Sequence, residues 1–250
     1  MAYANGAVFY RGPSQLDGKP IVGIVTGLNR PTKNPKTGPM LQTWILRSHV
    51  NPSRAVETGG DRSICGSCAL RGGYYNGGYV KRSCYVQVGR APLAIYRSFK
   101  RGNYPDLQLF MLGDKAIRLG AYGDPAAIPT YVWQMLLTNA RTWTGYTHAW
   151  RTCDQSLSSI IMASVDSEDE RVVADALGWR TFRVIPFASS AYDFTSEVVC
   201  PASAEAGHLT TCARCRLCKG KRNPAKSVVI AAHGSGASSF VALSSLRGMR

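Results

Sequence analysis

Acidic residues are scarce in this chain: 15 Asp and Glu stand against 30 Lys and Arg, a net charge of +15 over 250 residues. Such an excess suits a polyanionic partner, and nucleic acid is the commonest one. Long apolar runs are missing too, which excludes a membrane-spanning helix. The opening residues, Met1-Ala-Tyr-Ala-Asn, lack the charged-then-apolar build of a secretory leader. No GxxxxGK[ST] loop and no GxGxxG fingerprint occur, which sets aside those two phosphate-binding designs. Neither an HExxH helix nor a nucleophile elbow is present, which disfavours zinc proteases and serine hydrolases. Disorder is excluded by an ordinary hydrophobic share of 45%.

Cysteine, by contrast, is plentiful, with eight residues. Without a leader, that number points to a reducing compartment and to metal ligation rather than disulfides. Seven of the eight fall into two sets. Cys212-Ala-Arg-Cys215-Arg-Leu-Cys218 places three thiols at equal gaps, with Cys200 upstream and followed by Pro201. Thiols so spaced can turn toward one centre. The spacing resembles ferredoxin-type loops, so a [4Fe-4S] cluster leads there, and zinc held by three thiols plus His233 is the alternative. The first set is Cys65-Gly-Ser-Cys68 with Cys84, and Cys153 is a candidate fourth ligand for it. The run 212–226 also carries Arg214, Arg216, Lys219, Lys221, Arg222 and Lys226 without one acid, the composition of a phosphate-binding loop.

Three segments are expected. Residues 1–60 form a β-rich lead-in, with strands at Ile21–Thr26 and Met40–Leu46 joined by the basic loop 29–39. Residues 61–90, dense in glycine, form an irregular loop organised by its thiols. Residues 91–250 form an α/β catalytic-type domain carrying the C-terminal cysteines. There, strands at Lys115–Tyr122, Thr142–His148, Ser159–Val165, Trp179–Ile185 and Ser227–Ala232 alternate with helices. Ser167-Glu-Asp-Glu170 reads as a capping box. The fold class is therefore α/β, a partial or irregular (β/α) barrel-like parallel sheet with a β-rich N-terminal extension and Cys-rich metal-binding loops.

Reactive groups collect at the carboxyl ends of parallel strands. Those ends carry Asp124, His148, Asp166 and His233. Two carboxylates and a histidine would supply a nucleophile and a general acid/base, and an aspartate can attack an anomeric carbon. Tyr122, Tyr146 and Trp150 would stack on a base. Base modification of DNA by glycosyl transfer is thus the leading expectation, with Asp124, Asp166 and His148 catalytic. An iron–sulfur redox or radical-type enzyme is one alternative. A non-catalytic nucleic-acid-binding protein with structural metals is the other.

The combination Leu119-Gly-Ala-Tyr-Gly-Asp-Pro125, Trp143-Thr-Gly-Tyr-Thr-His148, Met162-Ala-Ser-Val-Asp166, Gly178-Trp-Arg-Thr-Phe182, Cys200-Pro-Ala-Ser and Thr211-Cys-Ala-Arg-Cys-Arg-Leu-Cys218 resembles a family of tailed-bacteriophage proteins. That resemblance spans about residues 38 to 234. It implies the cytoplasm of an infected bacterial host, and no particular activity. A weaker resemblance is to the guanine transglycosylases that install 7-deazaguanine bases. It implies aspartate roles for Asp124 and Asp166 and a Cys3His zinc site at Cys212, Cys215, Cys218 and His233. The cysteine gaps differ from that family's, and its glycine-rich recognition motifs are missing.

Overall fold

Runs of β-branched residues build the two five-stranded sheets of this mixed α/β protein, whose computed structural model describes residues 4–75, 78–186, 192–221, 224–233 and 237–240. In the first sheet β1 (Gly6–Pro13), β2 (Pro20–Thr26) and β3 (Leu41–Arg47) form an antiparallel meander. All of β2 after Pro20 is buried, as expected for a central strand covered on both faces. A short antiparallel ribbon follows, β4 (Gly73–Tyr75) with β5 (Gly78–Val80). The chain then returns to the first sheet: β6 (Ala116–Tyr122) pairs with β3 in parallel, and β7 (Thr142–Thr144) with β6. The N-terminal lead-in therefore shares a sheet with later strands.

The second sheet contains β8 (Tyr146–Thr147), β9 (Met162–Val165), β10 (Thr181–Ile185), β11 (Glu197–Val199) and β12 (Ser227–Ala231). Its order is β11-β12-β10-β9-β8, and every pair is parallel. Only Gly145 separates β7 of one sheet from β8 of the other. A Cβ there would lie 2.7 Å from Ile161 Cγ2 and 3.0 Å from Leu119 Cβ, so only glycine fits this seam without displacement. Its carbonyl accepts from the Met162 N–H, and its own N–H donates to the Cys218 carbonyl.

Among the described residues six short helices lie between the strands, and residues 237–240 are helical after β12. Asn51 caps α1 (Pro52–Glu57) through the Arg54 N–H. The others are α2 (Arg62–Cys65), α3 (Ala91–Lys100), α4 (Thr130–Leu137), α5 (Glu168–Ala176) and α6 (Cys212–Cys215). Ser167 Oγ accepts from the Glu170 N–H, and the Glu170 carboxylate accepts from the Asp166 N–H, so the expected capping box forms one residue out of register on its return bond. A main core joins the first sheet to α4 and the buried Trp133 and Trp150. A smaller one, with Met162, Phe182, Val228 and Ile230, backs the second sheet and has Cys200 within it.

Two expectations change. The segment 61–90 is more ordered than its glycines suggest, since α2, a 3-10 turn at Ala69–Arg71 and the β4–β5 ribbon lie within it. Strands β1 and β11 add to the expected set and leave little trace in the sequence: Arg11 and two glycines interrupt the apolar pattern of the first, and the second has three residues.

Candidate active site

The carboxyl ends of β6, β7, β8, β9, β10 and β12 open on one pocket of about 390 Å³. The parallel register places those ends together. Cys65, Cys68 and Cys84 stand in its wall, supplied by the 61–90 segment. Arg71 braces that segment from behind. Its guanidinium donates to the carbonyls of Gly59 and Gly66 and pairs with the Asp61 carboxylate, while Arg82 lies 3.8 Å from the same carboxylate. Asp61 is 1% exposed, so its charge is held in the interior by these two arginines.

Burial pushes the Cys65 thiol well up, with Cys68 and Cys84 adding to it. Burial also raises Cys84, against the pull of Arg82. Thiols this close together and this dry resist ionisation unless a cation joins them. Three buried polar atoms at the same wall lack hydrogen-bond partners: Ser83 Oγ, the Tyr122 hydroxyl and His148 Nε2. Buried polar groups are nearly always satisfied, so three orphans in one place mark a site that takes something up.

His148 is set by its backbone. Its N–H donates to Asp124 Oδ2 at 2.8 Å, while Asp124 Oδ1 accepts from the Ala126 N–H at 2.9 Å. Burial raises the Asp124 pKa, countered by the hydrogen bonds it accepts from Thr147, Ala126 and His148. Asp124 thus caps one turn and brackets the next strand, with both oxygens engaged. The His148 imidazole is pulled down by burial. Cys68, and after it Asp166 and Asp124, outweigh that and push it up to about 10. Cys68 favours the ring proton both by its charge and by a side-chain hydrogen bond with the imidazole, while Nε2 itself is without a partner. Asp166 faces an adjoining cavity that His148 and Cys68 also line.

The aromatic residues divide. Tyr146 stacks on Phe182 with ring centroids 4.3 Å apart, and both line the pocket. Tyr122 lines it through its buried hydroxyl. Trp150 does not line this pocket: it is buried in the core, with Arg151 over its ring, and lines the adjoining cavity with Asp166. Tyr85 stacks on His233 and accepts a hydrogen bond from Arg118, which closes the pocket's far side.

The second thiol set lies beside this pocket, with Cys212 lining both. Cys200, Cys212, Cys215 and Cys218 line a void of about 10 Å³, walled by Pro201, Leu217 and Val228 among others. Burial pushes Cys218 well up, and the other three thiols each add to it. Cys200, the fourth thiol of the leading expectation, lines this void; His233, named in the zinc alternative, does not, and stands on the pocket rim against Tyr85. Cys153, expected near the first set, lines a separate cavity with Thr130 and Asp154, and burial pushes its thiol up to about 12.

Arg180 organises the second loop by donating to the carbonyls of Leu217, Lys219, Ala225 and Lys226. Gly220 lets the loop touch the chain at Ser158–Ile160: a Cβ would lie 2.2 Å from the Ser158 carbonyl oxygen. The basic loop 29–39 docks here as well, the Lys36 and Thr37 carbonyls accepting from the N–H groups of Cys212 and Ala213. Arg214, Arg216 and Lys221 are exposed on this surface. Lys219 instead lies over the Trp143 ring, 4.5 Å from its centroid, and Arg222 falls outside the described residues.

Among the described residues no group of three or more His, Cys, Asp or Glu side chains is arranged to hold a metal ion. Nor is any described helix long and apolar enough to cross a membrane. Sequence reasoning missed Ser83, Arg71, Asp61, Arg118 and Arg180. Only Arg82-Ser83 beside Cys84 carried a signal, being polar residues wedged against a ligand-type cysteine. No protein-family model, curated protein or solved structure matches the chain, and the site is known by its own geometry.

Proposed function

We propose that this protein is a metal-bearing enzyme that acts on a base of nucleic acid, with the first thiol set beside the seat of the base and the second as a structural staple. The observation that carries this reading is the pocket of about 390 Å³ in which Cys65, Cys68 and Cys84 meet the unpartnered Tyr122 hydroxyl and His148 Nε2. Its size suits a single base or nucleoside-sized ring. The Tyr146–Phe182 stack supplies an aromatic face, and Arg118 a fixed cation. An iron–sulfur cluster or zinc ion held by these thiols would supply electron transfer or Lewis-acid chemistry when bound. The protein's own groups would stack the ring, orient it, and hold a proton at the Tyr122 hydroxyl.

Glycosyl transfer by an aspartate pair has less support, because both oxygens of Asp124 are engaged by backbone N–H groups. Asp124 is better read as a positioning residue for His148. The basic surface formed by Arg214, Arg216 and Lys221 beside loop 29–39 supports DNA as the polymer. The single-glycine seam between the two sheets supports a partial (β/α) barrel-like scaffold around the pocket. The four-thiol void is closed by the Arg180 and Gly220 contacts, as a folding staple requires.

The test is direct. Anaerobically purified protein should carry stoichiometric metal, show thiolate-to-iron absorbance if the metal is a cluster, and bind single-stranded DNA in a salt-dependent manner. A colourless protein without zinc or iron after anaerobic purification would overturn the reading.

A further inference from the structure

We propose that His148, through Nε2, is the fourth protein ligand of the metal centre held by Cys65, Cys68 and Cys84. This deepens the proposed function and rests on its metal centre. Nε2 is buried and lacks a hydrogen-bond partner, in a structure where the backbone N–H of the same residue is tied to Asp124. A buried imidazole nitrogen without a partner is costly, and metal ligation is the usual way a histidine recovers that cost. The ring stands beside Cys68, and both side chains line the pocket and the cavity next to it. Two further orphans at the same wall, the 3%-exposed Tyr122 hydroxyl and the 7%-exposed Ser83 Oγ, mark this wall independently.

Elimination leads to the same residue. Asp61 is committed to Arg71 and Arg82. Asp124 has both oxygens on backbone N–H groups. Cys153 lines a different cavity. Among the donors lining the pocket with all three thiols, His148 is the imidazole that stands beside Cys68 and has a buried ring nitrogen without a partner. Three thiols and an imidazole are a donor set that suits an iron–sulfur cluster or a zinc ion. The bracket from Asp124 then has a purpose: it fixes the strand end from which the imidazole reaches the centre, as outer partners do for ligating histidines.

The experiment compares full-length wild type with Cys68→Ala, His148→Ala and His148→Cys, all purified anaerobically, by metal content, visible spectrum and rate of metal loss to a chelator. Cys68→Ala should lose one centre's share of metal. His148→Ala should release that share at least about tenfold faster, and His148→Cys should restore retention with a shifted spectrum. If His148→Ala keeps wild-type lability and spectrum, His148 is not a ligand, while the metal centre stands. If wild type holds no more metal than Cys68→Ala, the first set carries none and both readings fall together. X-ray absorption at the metal edge of the wild type decides the matter should His148→Ala fold poorly. Outer-shell scattering from one imidazole is expected, and an all-sulfur shell overturns the assignment.

Discussion

The two thiol sets share a plan and differ in exposure to a substrate. Each is carried by a loop, and each loop is tied down by one arginine that donates to backbone carbonyls: Arg71 behind the first, Arg180 behind the second. The first set opens on a pocket of about 390 Å³ and is ringed by polar atoms without partners. The second encloses a void of about 10 Å³ with apolar walls. A closed site gives its binding energy to the fold, whereas an open one keeps a side for chemistry. If both sets bind metal as proposed, similar thiols serve different ends, and the lining, not the cysteine spacing, separates them.

The largest break in this comparison should come from removing one thiol at each site. Cys215→Ser is expected to cost about 4 kcal/mol, lowering Tm by about 8–16 °C, because the loop loses its staple. Cys68→Ser should move Tm by less than about 4 °C while abolishing turnover. Equal drops in Tm, read by calorimetry, would erase the distinction.

The bracing arginines sharpen it further. Arg71→Met strands the buried Asp61 carboxylate with only Arg82 nearby and should cost about 3–5 kcal/mol. Arg180→Met leaves neutral carbonyls near the surface that water can reach, and should cost about 2–3 kcal/mol. Urea denaturation of both variants checks the order, and the reverse order would contradict it. Gly220→Ala should cost about 1–3 kcal/mol by forcing the second loop off the Ser158 carbonyl, with the first site's spectrum unchanged.

Smaller effects concern charge. Charge reversal at Arg214, Arg216 and Lys221 should flatten the salt dependence of single-stranded DNA binding by about 0.7 in log–log slope for each phosphate that is no longer neutralised. Substitutions at the first set should leave that slope alone. The smallest effect is a control remote from both sets. The Glu168 carboxyl is held below its ordinary 4.5 by its hydrogen bond from Arg171, opposed by burial and assisted by Arg183. Its folded value is depressed, so its contribution is present above that ordinary value and fades as pH falls through the lower folded one. The group is half exposed, and screening limits it to less than about 1 kcal/mol. Glu168→Gln should therefore lower Tm slightly at pH 7 and not at all at about pH 2 to 3; a difference growing toward acid would contradict the sign.

Much of the scaffold was legible in the residues. The β-branched runs at Ile21, Met162, Phe182 and Val228 and the Ser167 cap mark strands and a helix because burial and capping are local demands. The strand-end residues Asp124 and His148 were legible as well, since a parallel sheet dictates where its carboxyl ends gather. Their duties were not. Whether an aspartate meets a substrate or two backbone N–H groups depends on how β6 and β8 are juxtaposed, and spacing along the chain does not encode that. The placement of His233 was hidden for the same reason: it follows Cys218 in sequence, but β12 delivers it to the pocket rim and not to the four-thiol void. Trp150 lies two residues beyond His148, and a turn after β8 sends it into the core.

The Cys218 carbonyl takes its hydrogen bond from the Gly145 N–H, three residues before His148. The closed thiol loop is therefore pinned to the root of the short strand whose tip reaches into the open pocket. Any loosening of that loop would therefore be felt at the strand end that presents His148 to the pocket.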